Sequence, residues 1–289
     1  MSVKKYVKRV GRYLLKGLPV NHITTNIVTI APNELLKGRK ALVTGGTSGI
    51  GYAIANAFLR SGASVTITGR TEHRLDDSIK KLAEENPSAK DRISFVVMDN
   101  KEVSSFKTLF DSHPILKETG ILVNNAGVLG GDISQVTEED YDSILDTNLK
   151  GTFFLSQLVA WNMKERGIKG NILNIASSSS LRPATSAYTI SKWGIRGLTL
   201  GLAKVLAPYG ITVNGLAPGP TATPMLMGGV KIRDISLENN PTGRYAMPEE
   251  IANMAVVLAS GMGRMVVGDI VYMTGGAGLI TLDDTYYQF

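Results

Sequence analysis

Two side chains of unlike chemistry stand four positions apart at Tyr188 and Lys192, in the run Tyr188-Thr189-Ile190-Ser191-Lys192. On a helix such residues share a face, so a phenol and an ammonium would lie together. A free tyrosine titrates near pH ~10 and is a poor acid or base at neutrality. A neighbouring positive charge favours the phenolate, which suits proton exchange with a carbonyl or alcohol oxygen. Four serines, Ser177–Ser180, follow directly on the apolar run Asn171–Ala176. A hydroxyl at the end of such a strand is placed to donate to the same oxygen and polarise a carbonyl. Alone, a Tyr–Lys pair is usually surface decoration and a serine run is usually loop; their meaning depends on what precedes them.

What precedes them is the turn Thr44-Gly45-Gly46-Thr47-Ser48-Gly49-Ile50-Gly51, between an apolar strand and a helix ending near Arg60. Gly45 suits the tight turn, Gly49 leaves room for a pyrophosphate above a helix N-terminus, and Gly51 lets that helix pack closely on a sheet. Bare N–H groups and the helix dipole then favour phosphate. No Lys-Ser/Thr pair follows the glycines, which disfavours a nucleoside-triphosphate loop. A second strand ends at Thr68-Gly69-Arg70-Thr71, with no acid before Glu72. An acid near that point holds a free ribose 2′-OH, whereas an arginine suits a 2′-phosphate. Arg70 offers a bidentate fork and Thr71 a hydroxyl, which favours NADP(H), with NAD(H) as the alternative.

These groups need a scaffold, and the hydrophobic pattern supplies one. Short apolar strands are predicted at Ala41–Thr44, Ser64–Thr68, Ile93–Met98, Ile121–Val123, Asn171–Ala176, Ile211–Asn214 and Ile270–Met273. Helical spacing marks Arg74–Glu85, a long stretch over Glu138–Lys164, and Ser186–Leu206. Alternating strands and helices define an α/β class, a doubly wound parallel sheet of about seven strands in one domain with helices on both faces. The domain is expected over 38–277, after a basic amphipathic extension and connecting arm (1–37) and before a tail (278–289). The segment Gly219–Pro241 is long for a loop and reads as a lid or binding element.

Composition removes other classes. Among 289 residues there is no cysteine, which excludes disulfides, thiolate metal sites and a cysteine nucleophile. His22, His73 and His113 are scattered without ligand spacing, so no metal site is expected. No apolar run reaches the roughly 18 residues of a membrane span. The formal charge of +6 is concentrated at the start: residues 1–40 carry nine Lys/Arg and one acid, and the remainder nets −2. Nucleic acid is therefore not an expected partner. Residues 2–18 space Val3, Tyr6, Val7, Val10, Leu14 and Leu18 as a basic amphipathic helix before Pro19. That pattern fits weak contact with an anionic membrane surface, or packing on the body or a second copy. A cytoplasmic protein is expected.

The ordered pieces TGGTSGIG (44–51), Asp99, NNAG (124–127), NLKG (148–151), YTISK (188–192), PGPTAT (218–223), GRYAMPEEIA (243–252) and GDIVYMTGG (268–276) resemble the short-chain dehydrogenase/reductase family over about residues 38–277. The resemblance implies a Rossmann-type fold and hydride transfer between a nicotinamide cofactor and a carbonyl or secondary alcohol, including 3-oxoacyl-carrier-protein-reductase-like activity. It implies Tyr188 as general acid/base, Ser177 as donor to the substrate oxygen, Lys192 on the nicotinamide ribose, and Asn148 holding a water that links Lys192 to solvent. By the same resemblance Thr47, Ser48 and Ile50 join the three glycines at the cofactor, and Asp99 and Asn100 lie beside adenine. Asn125, Ala126 and Gly127 pass behind the ribose, while Pro218, Gly219, Thr221 and Thr223 wrap the nicotinamide and pyrophosphate. A homodimer or homotetramer is implied as well.

The chain departs from that family in two places. Ser177 stands eleven residues before Tyr188, about two fewer than is usual, so either the loop is shortened or Ser178 or Ser179 takes the role; a strand end is the more rigid platform. Ser48 stands where many NADPH-preferring members carry a base. For the substrate, Met225-Leu226-Met227 suggests an adaptable apolar wall, and Lys231, Arg233 and Arg182 offer contacts to an anion. A small-molecule carbonyl or alcohol is the expected substrate. The alternatives are a reductase or epimerase of a sugar or sugar-nucleotide keto intermediate, and a non-catalytic dinucleotide sensor or scaffold.

Overall fold

The computed structural model describes residues 32–228 and 234–277. The helix expected over 2–18, most of the connecting arm, lid residues 229–233 and the tail from 278 lie outside the described residues. The end of the arm is tied down: Leu36 is fully buried and donates its N–H to Ser61 O.

Seven strands alternate with helices: β1 (Lys40–Val43), α1 (Gly49–Arg60), β2 (Ser64–Gly69), α2 (Glu72–Glu85), β3 (Ile93–Val97), α3 (Phe106–Ser112) and β4 (Ile121–Asn124) form the first half. The second half holds α4 (Glu138–Leu145), α5 (Gly151–Glu165), β5 (Asn171–Ile175), α6 (Ala187–Leu206), β6 (Thr212–Pro218), α7 (Pro248–Ala259) and β7 (Ile270–Met273). All strands pair in parallel in the order β3-β2-β1-β4-β5-β6-β7. The class and strand number expected from the pattern are those observed. Parallel strands buried on both faces read as continuous apolar runs, and Ala41-Leu42-Val43 and Ile121-Leu122-Val123 are buried throughout.

One apolar layer lies between the sheet and α1, α2 and α7, with Phe58, Ile67, Leu75 and Val256 in it. The other lies beneath α3, α5 and α6, around Phe106, Leu122, Leu155 and Val213. Within the second layer runs a short polar chain. Asn124 Nδ2 donates to Ser156 Oγ and to Asn174 Oδ1, each at 2.8 Å, and Asn174 Nδ2 donates to Thr199 Oγ1 at 2.9 Å. Directional bonds among buried groups fix one register where apolar packing alone tolerates several. Here they tie α5 and α6 to β4 and β5, and α6 carries Tyr188.

After β3 the chain returns to the other side of β1, so β1 and β4 are neighbours. In such sheets the crevice at the carboxyl ends of the strands at this reversal receives ligands. The glycine turn follows β1 and Asn125-Ala126-Gly127 follows β4, so the topology delivers both to that crevice.

The long helical stretch expected over 138–164 is present but interrupted by a π-helical turn, Asp146–Lys150, which contains Asn148. Such turns recur at functional positions. Two helices went unread in the sequence, α3 and α7.

Candidate active site

The glycine turn and the loop after β4 are joined into one unit. Asn125 Nδ2 donates to Thr44 O at 2.9 Å and Gly45 O at 3.0 Å, and Thr44 Oγ1 accepts from the N–H groups of Asn125 and Ala126 at 2.9 and 3.0 Å. Thr44 was not singled out from sequence; its position as the last residue before the glycines is the signal that was available. Gly49 has φ +54°, the left-handed region that favours glycine. At Gly51 a Cβ would collide with the Asn125 amide and the Gly45 carbonyl. Ser48 caps α1 without a side-chain bond, and no acid lies in the first turn. The first-turn N–H groups thus remain open to an anion. Thr223 faces the turn from the far side, its side chain 3.3 Å from where a Gly49 Cβ would be. The residues present therefore fit the pyrophosphate of a dinucleotide.

Gly51→Ala tests this unit. The added methyl forces α1 away from Asn125, and overpacking of this kind costs about 1–3 kcal/mol. We expect a lower urea midpoint together with at least tenfold weaker NADPH binding by fluorescence titration; wild-type values for both would mean that the close approach is not required.

At the end of β2, Arg70 and Thr71 are exposed. Arg70 has no ion-pair or hydrogen-bonding side-chain partner among the described residues, and Thr71 caps α2 without a side-chain bond. Asp99 closes the loop after β3, its Oδ1 accepting from Lys101 N at 3.0 Å. Asn100 is buried, and its Nδ2 donates to Thr147 O at 2.8 Å. It braces the π-helical turn beside Asn148, a long-range task that local sequence does not signal.

Tyr188 lies in the first turn of α6, where Ser186 Oγ caps the helix by accepting from Thr189 N at 3.1 Å. Ser177 follows the end of β5, and its hydroxyl lies close enough to the Tyr188 phenol to favour the phenolate. Burial pushes the phenol above its ordinary value, and the nearby Ser177 hydroxyl draws it back in part. Lys192 is buried, with Nζ 5.6 Å from the Tyr188 ring centre and donating to Ile175 O at 2.8 Å. Burial lowers its pKa to about 8. Among the four serines, Ser177 meets Tyr188. Ser180 Oγ instead donates to Ser177 O at 2.7 Å, and Ser179 donates its backbone N–H to Ser177 Oγ at 3.1 Å. A 3-10 turn over Ser178–Leu181 takes up the shortened connection.

Asn148 is buried and fully engaged. Its Oδ1 accepts from Val128 N at 2.8 Å, and its Nδ2 donates to Val128 O at 3.0 Å and Ser191 Oγ at 3.1 Å. Ser191 donates in turn to Tyr188 O at 2.6 Å. The Asn148 side chain thus joins the loop after β4 to the start of α6. Across the crevice, Thr221 Oγ1 donates to Gly219 O at 3.0 Å and Gly219 packs against the backbone of Thr274, curving Pro218–Thr223 toward the glycine turn.

A parallel sheet of this order, with an open helix N-terminus at its reversal point and Ser177, Tyr188 and Lys192 gathered at the carboxyl end of β5, defines a dinucleotide-dependent enzyme fold. A family model described as enoyl-(acyl carrier protein) reductase matches residues 45–278. The chain is 37% identical over 256 residues to a 3alpha-hydroxysteroid dehydrogenase of Mediterraneibacter gnavus, covering 84% of this chain and 98% of that protein. It is 34% identical over 248 residues to a gluconate 5-dehydrogenase of Gluconobacter oxydans, covering 83% and 95%. A crystal structure of a 3-oxoacyl-acyl-carrier-protein reductase from Brucella melitensis superposes with a TM-score of 0.81 at 27% identity, covering 90% of this chain and all of that one. The chain belongs to the short-chain dehydrogenase/reductase family and is a nicotinamide-dependent oxidoreductase acting on a carbonyl or alcohol. No helix among the described residues is long and apolar enough to cross a membrane.

Proposed function

We propose that this enzyme reduces a ketone with an apolar body, using NADPH, with Tyr188 as the proton donor to the developing alcohol. The observation that carries the reading is the approach of the Ser177 hydroxyl to the Tyr188 phenol, with buried Lys192 Nζ 5.6 Å from the same ring. When bound, the nicotinamide supplies the hydride. The chain's own groups do the rest. Ser177 polarises the carbonyl, Tyr188 delivers a proton to its oxygen, and the Lys192 ammonium stabilises the phenolate that remains. Lys192 would also hold the nicotinamide ribose. Asn148 acts as a brace through Val128 and Ser191, and its place in the π-helical turn beside α6 is compatible with supporting a proton path from Lys192.

Exposed apolar residues on two loops, one bonded to Tyr188 and one following Thr223, support the substrate class. Leu129 and Ile133 are exposed on the loop whose Gly130 O accepts from Tyr188 N, and Met225 and Leu226 are exposed directly after Thr223. An NADPH-oxidation screen over acyl thioesters, steroid ketones, quinones, small ketones and keto-sugars tests this. Apolar-bodied ketones should exceed keto-sugars by about tenfold or more in kcat/KM, the order expected when several buried methylenes distinguish substrates. Parity, or a preference for keto-sugars, would favour the sugar reading instead.

The cofactor preference rests on Arg70 and Thr71, both exposed at the end of β2 with no acid before Glu72. A charge-assisted bond to a 2′-phosphate contributes about 1.5–3 kcal/mol, roughly tenfold to a hundredfold in affinity. Arg70→Ala should weaken NADPH binding by that factor and leave NADH binding unchanged. Equal affinities in the intact chain would refute the assignment.

Assembly with a second copy is supported by α6, whose exposed residues include Ile190, Trp193, Leu200 and Val205, with open space beside Gly197 and Gly201. Phe153, Phe154 and Trp161 are likewise exposed on α5. A contiguous apolar helix face of this kind is a frequent interaction surface.

A further inference from the structure

We propose that Ser180 is a positioning residue for the reaction, fixing the direction in which the Ser177 hydroxyl donates. This rests on the assignment of Ser177 as donor to the substrate oxygen. Ser180 is fully buried and grips the Ser177 carbonyl twice, through its backbone N–H at 3.0 Å and its hydroxyl at 2.7 Å. A serine hydroxyl has one proton, and this one is spent on the carbonyl. The Tyr272 phenol, 3.4 Å from Ser180 Oγ, is therefore the donor in their contact, which extends the chain to β7. Ser177 Oγ meanwhile accepts from Ser179 N at 3.1 Å. An oxygen that accepts one hydrogen bond becomes a better donor in the next. With its carbonyl held and one lone pair occupied, the remaining freedom of Ser177 is the direction of its O–H, toward the Tyr188 phenol and the substrate oxygen between them.

The turn that carries Ser180 is held in place from α6. Arg196 Nη1 donates to Ser180 O at 3.3 Å, and Trp193 Nε1 donates to Arg182 O at 2.8 Å. The guanidinium lies over the indole, 5.3 Å from the ring centre. The helix that supplies Tyr188 and Lys192 thus also holds the loop that supplies Ser177, so the reacting groups share one frame. The short connection makes this necessary: with eleven residues from Ser177 to Tyr188, the geometry is set by the hydrogen bonds of the 3-10 turn.

The test is a double-mutant cycle in the full-length chain with Ser177→Ala, Ser180→Ala and Arg196→Met, using NADPH-dependent reduction of trans-1-decalone as the probe reaction. Ser180→Ala should lower kcat about tenfold with NADPH affinity unchanged, and should cost nothing further in the Ser177→Ala background. Arg196→Met, which leaves Ser180 in place, should show a smaller loss of about threefold that vanishes in the same background. A readout without turnover accompanies it: in 13Cζ-tyrosine-labelled protein, the Tyr188 resonance, assigned by its loss in Tyr188→Phe, should move in Ser177→Ala. It should move in the same direction in Ser180→Ala, and no further in the pair. A wild-type kcat and resonance in Ser180→Ala, or losses that add in the Ser177→Ala background, would overturn the proposal. Should Ser180→Ala prove poorly folded, Arg196→Met and its pair with Ser177→Ala decide by the same criterion. Unchanged turnover in Ser177→Ala alone would instead remove the underlying assignment of Ser177.

Discussion

Tyr188→Phe should lower reductive turnover by about a thousandfold while NADPH binding stays within a factor of two. Loss of a positioned general acid typically costs 10²–10⁴-fold, and the substitution removes one oxygen while keeping the ring and its packing. The protonation state gives the direction. Burial raises the phenol above its ordinary value of 10.0, so at neutral pH Tyr188 holds its proton and is poised to donate. Donation leaves a phenolate beside the Lys192 ammonium and the Ser177 hydroxyl, both of which stabilise it. On the proposed reading the cofactor phosphates would sit at the turn that Thr44 and Asn125 brace and at the α1 N-terminus, so binding should survive. Stopped-flow NADPH oxidation and fluorescence titration separate the two effects. Retained turnover would exclude Tyr188 as the acid, and a parallel loss of NADPH affinity would mean that the phenol holds the cofactor.

The parts of this site written in contiguous residues were legible in the sequence. The glycine turn has a strand before it and an apolar-periodic helix after it, so its structural context could be read along with its residues. Tyr188 and Lys192 needed only helical spacing. Ser177 was harder, because four adjacent hydroxyls look alike until the 3-10 turn gives each a different partner. Residues whose task is fixed by partners far along the chain were the hardest. Asn100 reads as part of the loop after β3, yet its Nδ2 donates to Thr147 O, 47 residues on. The π-helical turn around Asn148 falls inside a segment whose apolar spacing simply continues, and no residue in Asp146–Lys150 announces it. Helix α3 is only seven residues long, below the length at which periodicity speaks, and is fastened by Phe106 and Phe110. Helix α7 opens with Met247 at its cap in place of Ser, Thr, Asp or Asn. Its start is secured by Glu250, which accepts from Met247 N at 2.8 Å and pairs with Nη1 and Nη2 of Arg244. The charged residues were visible, but their pairing depends on a bend that local propensity does not encode.

Lys192→Met should abolish most turnover and change the pH dependence of stability in a way that identifies the buried charge. The folded-state pKa of Lys192 is lowered to about 8 from an ordinary 10.5 by burial. Between these values the unfolded chain binds the proton and the folded chain does not. Stability therefore rises with pH across that window, and the cost of burying the ammonium applies in full below it. Two and a half pH units correspond to about 3 kcal/mol. Urea unfolding of wild type and variant at pH 7 and pH 10.5 isolates this group, because titrations common to both proteins cancel. So does the pH-independent cost of leaving Ile175 O without its donor. The variant should gain about 3 kcal/mol relative to wild type at pH 7 compared with pH 10.5. A wild-type–variant difference that is flat with pH would show that Lys192 titrates normally. The same titration governs activity. The ammonium that stabilises the Tyr188 phenolate is present below about pH 8 and lost above it, so reductive kcat should fall as pH rises through that value. A kcat that is instead constant to pH 10 would show that the charge on Lys192 does not support the proton transfer. The fold accepts a destabilising buried cation in that place, and on the proposed mechanism the proton transfer from Tyr188 is what that cation would serve.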